Sequence, residues 1–229
     1  MSKTVLLSAQ NVSKVFNRRG ETPVEVLKGL NLEVMVADRI AILGKSGAGK
    51  STLLHILGTL EAPTTGNVEF KGKNLSELSE KKLAQFRNHE IGFVFQFHYL
   101  MLEFSALENV MMPALIAQQS RKKATQQAEQ LLDWMGLSDR MKHKPSQLSG
   151  GEQSRVAIAR ALMMKPKILL TDEMTGNLDA VTGNQVMELL DKIQKLIGLA
   201  IVSVTHDEVL AKRYHKILRL ADGRVLSAH

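Results

Sequence analysis

The sequence predicts an α/β fold, a sheet with crossover helices that is interrupted by an all-helical insert. Three observations carry this expectation. Short β-branched runs alternate with longer helical patterns toward both ends of the chain. An unbroken apolar run, Ile40-Ala-Ile-Leu43, ends at a glycine-rich turn, the pattern of a central strand buried on both faces. From about Leu107 to Met164 the strand pattern gives way to apolar residues at helical spacing.

Taken in order, Val5–Leu7 and the alternating Leu30–Val34 are half-buried strands, and Ile40–Leu43 is the buried one. Asn67–Phe70 enters a turn at Lys71-Gly72-Lys73, and Gly92–Phe95 is a further short strand. Inside the helical block Ala128, Leu131, Leu132 and Met135 share one helix face, and Gly136 follows as a stop. Ile168–Leu170 and Ala200–Val204 are strands on either side of a helix from about Ala180 to Leu196. Ile217–Leu220, Asp222-Gly223 and Val225–Leu226 read as a closing hairpin.

Composition excludes several classes of protein. Hydrophobic residues are 44% and charged residues 23% of the 229, the balance of an ordinary globular chain. No cysteine is present, which rules out disulfides, thiolate zinc sites, iron–sulfur ligation and a cysteine nucleophile. The best apolar stretch, Val110 to Ala117, contains Pro113 and falls far short of the roughly 20 residues of a membrane span. The apolar core of Met1–Ser8 is too short for a secretory signal, so the expectation is a cytosolic chain that meets membranes through a partner. A net charge of +7 suits an anionic partner. The basic groups Arg18–Arg19, Lys81–Lys82, Arg121–Lys123 and Lys142–Lys144 are scattered, however, and form no nucleic-acid tail.

The chemistry begins after the buried strand. Gly44-Lys45-Ser46-Gly47-Ala48-Gly49-Lys50-Ser51 fits G-x-x-x-x-G-K-[ST], with Thr52 continuing into a helix. Glycines let successive backbone N–H groups turn inward on phosphates, and the helix adds its positive end. Lys50 is then placed for the β- and γ-phosphates and the Ser51 hydroxyl for Mg²⁺. Downstream, the apolar strand Ile168–Leu170 runs into Thr171-Asp172-Glu173. Asp172 can complete a Mg²⁺ shell, and Glu173 can take a proton from, or orient, an attacking water. Ser149 and Glu152 form a capping box at a helix start. A cap leaves the pair Gly150-Gly151 unexplained; the functional reading is a second anion cradle at a helix tip.

The ordered set Gly44–Ser51, Gln96, Leu148–Glu152, Asp172–Glu173, Asp179 and His206 resembles the ATP-binding subunit of an ABC transporter over nearly the whole chain. The resemblance implies a P-loop NTPase core, a mixed sheet with an antiparallel β subdomain, and an inserted helical subdomain. It divides the single domain 1–229 into an α/β core at 1–90 and 165–229 and a mainly helical part at 91–164. It further implies ATP and Mg²⁺ as ligands and a second copy that closes head to tail over two nucleotides. Gln96 then joins Ser51 and Asp172 at Mg²⁺, and Glu173, His206 and Gln96 carry the catalysis. Gly44–Thr52 and Phe16 bind the nucleotide, with Phe16 stacking on adenine where the family mostly has Tyr. Ser149, Gly150, Gly151, Glu152 and Asp179 serve the nucleotide of the other copy or link the two sites. Local alternatives stand beside these roles: Gln96 as a polar strand end, His206 as a residue at a helix start, Asp179 as a helix cap, and Phe16 as a core residue.

Within the family, Ser51–Gly58 and the stretch from Gln96 through Val110 are most similar to the lipoprotein-releasing branch. That implies two LolC/LolE-like transmembrane subunits, lipoprotein as indirect cargo, no nucleic acid, and a peripheral place on the cytoplasmic face of the inner membrane. MacB-like efflux ATPases and FtsE-like adaptors of cell division share most of the motifs and remain alternatives. Phe97, Tyr99, Leu100, Met101, Leu102 and Phe104 make an apolar surface suited to a helix of the membrane partner, although part of the set is also suited to packing the insert. Four residues depart from the family's pattern: Leu102 and Met174 stand for Pro, and Glu152 and Ser154 for Gln. None removes a catalytic atom.

Overall fold

The computed structural model describes residues 4–17 and 22–228, without the side chains of 227 and 228; Met1–Lys3 and the Arg18–Arg19 pair lie outside the described residues. In chain order the elements begin with β1 (Val5–Phe16), β2 (Val24–Met35), β3 (Arg39–Leu43), α1 (Lys50–Leu57), β4 (Thr65–Phe70), β5 (Lys73–Asn74), α2 (Glu80–Glu90) and β6 (Ile91–Val94). They continue with α3 (Ala106–Ile116), α4 (Arg121–Trp134), α5 (Gly150–Leu162), β7 (Ile168–Asp172), α6 (Ala180–Ile197), β8 (Ala200–Val204), α7 (Glu208–Ala211), β9 (Lys216–Ala221) and β10 (Arg224–Ala228). Two compact units result: Met1–Ala84 with Ala200–His229, and Gln85–Leu199.

The first unit contains an antiparallel sheet in the order β2-β1-β4-β5 and a second run of strands in the order β10-β9-β3-β8. The second run is mixed. β3 is parallel to both β8 and β9, with Ile40 opposite Val202 and Lys216, whereas β10 returns antiparallel to β9. Every residue of β3 is buried, Arg39 included. Its guanidinium lies 5.2 Å from the centre of the Tyr214 ring, and the neighbouring buried Asp38 pairs with Lys216 at 2.7 Å. A buried carboxylate is tolerable only with such a partner.

Strand β1 runs well past the expected Val5–Leu7. Gln10, Asn11, Ser13 and Lys14 break the apolar run, but pairing with β2 persists through register shifts between Ala9 and Lys14. The Asn11 N–H donates to the Asn31 side chain at 2.9 Å within this irregular stretch. Backbone hydrogen bonding through bulges, rather than side-chain patterning, therefore extends the strand.

In the second unit β6 and β7 pair in parallel, with Val94 opposite Thr171. Helices α3, α4 and α5 pack on one another, and α5 also packs on β6 and α6. Each helix opens on a chemical start signal. Ser105 and Glu108 form a capping box on α3, Ser120 caps α4, and Asp179 caps α6. α4 buries Ala124, Ala128 and Leu132 and ends two residues before Gly136, whose φ of +66° is the left-handed stop expected there. α6 buries Val186, Met187, Leu190 and Ile193 on one stripe. Helix α2 escaped the sequence expectation because it buries no residue and carries no apolar stripe.

Candidate nucleotide site

In the first unit the chain leaves β3 at Leu43 and turns through Gly44–Gly49 into α1. A Cβ on Gly44 would stand 2.3 Å from the Leu220 carbonyl, and one on Gly49, at φ +97°, 2.8 Å from the Val26 carbonyl. Both positions therefore admit only glycine. Lys45, Ser46 and Gly47 are exposed at the crest of the turn, whereas Lys50 is only 8% exposed. The Lys50 ammonium donates to the Gly44 and Lys45 carbonyls at 2.9 and 3.0 Å, which holds the side chain back along its own loop. Gly49 caps α1 with no side-chain bond, so no side chain competes for the first N–H groups of the helix. Uncapped amides, a buried ammonium and the exposed Ser51 hydroxyl form a donor set that suits a polyphosphate.

His206 reaches the same edge. Ile42 of β3 pairs with Val204 of β8, and Gly44 and His206 each follow two residues later. Asp207, not His206, caps the short α7, accepting from Val209 and Leu210 N–H at 2.7 and 3.1 Å. His206 itself is exposed just outside that cap. Phe16 ends β1 with 38% of its surface exposed and the Lys14 ammonium 4.9 Å from its ring centre. That exposure excludes the core reading of Phe16 and leaves a ring face for stacking.

The second unit repeats the logic. Val94 pairs with Thr171, and Gln96 and Glu173 each follow two residues later, beyond the carboxyl ends of β6 and β7. Asp172 ends β7. Glu173 has a φ of +45°, a left-handed conformation that costs a non-glycine residue about 1–2 kcal/mol and that persists at functional sites. The turn after it folds back through Gly176 N–H to the Glu173 carbonyl at 2.9 Å, and Asn177 donates to the Gln96 carbonyl at 3.3 Å. Two of the departures meet here, since the fully buried Ser154 hydroxyl donates to the Met174 carbonyl at 3.5 Å. Met174 is itself buried, so its side chain anchors this turn by packing.

Ser149 and Glu152 form the expected capping box, at 3.3 and 2.8 Å. The Ser149 N–H holds the Glu152 carboxyl below its usual range, with Arg140 at 3.0 Å contributing. Glu152 thus serves the helix tip and a neighbouring cation, a use for its charge that glutamine lacks. Within the chain, Gly151 is also closely approached: a Cβ there would lie 2.4 Å from the Thr182 methyl of α6. Asp179 is a helix cap, accepting from Val181 and Thr182 N–H at 3.1 and 3.0 Å, and bonding to Thr182 holds its carboxyl below the ordinary value. Gly151→Ala is expected to destabilise the protein by about 1–3 kcal/mol, the usual cost of overpacking. Adding Thr182→Ser, which removes the methyl and keeps the hydroxyl, should recover most of that; calorimetric melting of the single and double variants checks it.

Of the six apolar residues after Gln96, Phe97, Tyr99 and Leu102 are 68%, 64% and 70% exposed. Leu100 is buried and Met101 and Phe104 are half-buried, so the set divides between surface and packing. Among the described residues no group of three or more His, Asp or Glu side chains could hold a metal ion alone. The Asp172 carboxylate, the Ser51 hydroxyl and the Gln96 amide are each hard oxygen donors of the kind Mg²⁺ takes.

Comparison with known proteins shows the family. The family described as ABC transporter matches residues 27–176. The chain is 54% identical to the lipoprotein-releasing system ATP-binding protein LolD of Geobacter metallireducens, over 97% of this chain and 98% of the relative. It is 48% identical to LolD of Myxococcus xanthus, over 97% and 99%. The ATP-binding cassette MJ0796, solved as a dimer bound to ADP and Pi, superposes with a TM-score of 0.90 at 38% identity, covering 98% of each chain. A glycine loop with a buried lysine, paired strand ends carrying glutamine and glutamate, and family likeness across the chain lead to one conclusion: this chain belongs to the ABC transporter family, as an ATP-binding and ATP-hydrolysing subunit.

Proposed function

We propose that the chain powers release of lipoproteins from the bacterial inner membrane toward a periplasmic carrier. It works there as a pair of copies on the cytoplasmic face, bound to two LolC/LolE-like transmembrane subunits. The observation that supports this most is likeness to lipoprotein-releasing relatives along nearly the full length of both chains. No described helix is long and apolar enough to cross a membrane, and this reading assigns the translocation path to the transmembrane subunits.

In this reading Gly44–Thr52 wrap the phosphates of ATP, Lys50 binds the β- and γ-phosphates, and Phe16 stacks on adenine. Ser51, Asp172 and Gln96 hold Mg²⁺, which when bound neutralises charge on the phosphate oxygens. Glu173 accepts the proton of the attacking water, and His206 supports that water and the γ-phosphate. Ser149, Gly150 and Gly151 of the second copy present their helix tip to the same nucleotide, with Glu152 steadying the tip and Asp179 linking the sites. Residues 1–90 and 165–229 act as the α/β core and 91–164 as the helical subdomain.

Reconstitution tests it. The chain and its co-purified membrane subunits, in proteoliposomes loaded with an acylated protein, should transfer that protein to a soluble carrier only with ATP. ATP-driven movement of a small solute without lipoprotein transfer would favour the efflux alternative instead.

A further inference from the structure

We propose that Arg160 is a positioning residue that locks the exposed aromatic surface at Phe97–Leu102 to helix α5, the helix whose tip carries Ser149, Gly150 and Gly151. The inference rests on the reading of that surface as the membrane partner's docking site and of that tip as the second nucleotide cradle.

Arg160 sits in α5 among buried Ile158, Ala159 and Leu162. Its two terminal nitrogens donate to the carbonyls of His98 and Tyr99 at 2.5 and 2.7 Å. Those acceptors belong to consecutive non-glycine residues with φ of +59° and +44°. Each left-handed residue costs about 1–2 kcal/mol, so two in succession persist only where surrounding contacts over-determine them. The planar fork of a guanidinium matches two adjacent carbonyls in a way that a lysine ammonium does not.

Other contacts close the remaining freedom. His98 is buried, and burial together with the nearby Arg160 charge lowers its imidazole below the ordinary value, against a raising bond to the Phe95 backbone. A neutral imidazole leaves the guanidinium without a like charge beside it. The Tyr99 ring meets Phe95 edge-on at 5.2 Å, and Phe95 stacks on Phe93 of β6 at 4.2 Å. Farther along, the Asn109 side chain of α3 accepts from Met101 N–H at 2.8 Å and donates to its carbonyl at 3.1 Å.

The segment is therefore pinned from two helices while its large side chains face outward. Between Arg160 and the tip of α5 lies an unbroken helix, about 15 Å at 1.5 Å per residue. A displacement of the aromatic surface moves Arg160, and through a stiff rod it moves the glycine tip. By reciprocity, nucleotide engagement at the tip is felt at the surface.

Two measurements on the full chain test this, with Arg160→Lys as the main variant and Arg160→Ala as the second. Hydrogen exchange of the amides at 97–102 should accelerate about tenfold in either variant, the signature of lowered local stability. In the complex with co-expressed membrane subunits, the ratio of turnover with those subunits to turnover without them should fall about tenfold, the scale of a lost coupling between linked sites. The KM for ATP should move far less. Unchanged exchange, or a wild-type ratio beside raised exchange, overturns the assignment. If the unmodified chain itself shows no response to the membrane subunits, the docking reading fails instead, and the exchange result still decides whether Arg160 holds the segment.

Discussion

Glu173→Gln is expected to lower steady-state phosphate release by about 10²–10⁴-fold, the range lost with a general base. Glutamine keeps the size of the side chain but accepts no proton from water. ATP affinity should survive, because the phosphate loop and Lys50 lie elsewhere in the sequence and are untouched. One negative charge fewer beside each triphosphate also favours the closed pair of copies. Light scattering on the ATP-loaded variant should therefore show a dimer where the unmodified chain cycles back to monomer. Full turnover by the variant would remove Glu173 from the proton-accepting role. A hydrolysis-dead variant that remains monomeric with ATP would sink the paired arrangement while leaving the general base in place.

Lys50→Ala should act at the earlier step. The ammonium is largely withdrawn from water and spends its bonds on the Gly44 and Lys45 carbonyls, so it is poised to exchange them for phosphate oxygens at little desolvation cost. A charge-assisted hydrogen bond contributes about 1.5–3 kcal/mol, which predicts ATP binding weaker by about 10- to 100-fold. AMP, which lacks the β- and γ-phosphates, should lose much less, and titration calorimetry with both nucleotides separates the cases. Equal losses for ATP and AMP would indicate a collapsed loop rather than a missing phosphate contact. Lys50→Arg should not preserve the affinity, because a broad planar guanidinium does not replace a compact ammonium.

Much of the site was legible in advance because its signals are local. The phosphate loop needs glycines, a lysine and a hydroxyl at short fixed spacing. Strand ends such as Asp172 announce themselves by an apolar run that stops at a carboxylate. For Gly151 one part of the explanation is spatial and lay beyond any local reading. A close neighbour was rightly inferred at Gly151, but the neighbour within the chain is Thr182, thirty-one residues away. Helix α2 and the far half of β1 were invisible for the complementary reason, since neither carries the apolar period on which such readings depend. Arg160 left only a faint trace, a lone cation inside Val156-Ala-Ile-Ala-Arg160-Ala-Leu162, which pattern alone cannot tell from a solvated side chain.

By itself, then, the order of residues determined the α/β class, the family, and the candidate phosphate loop and carboxylate pair, because each follows from chemistry among residues close along the chain. Tertiary structure alone decided that Gln96 and Glu173 stand at matching positions on paired strands, that Glu173 adopts a left-handed backbone, and that Arg160 grips the His98 and Tyr99 carbonyls. The physical reason is common to all three. Strand register, backbone strain and a buried guanidinium's partners are settled by contacts between segments far apart in sequence, and no local period encodes which distant carbonyl or strand a residue will meet.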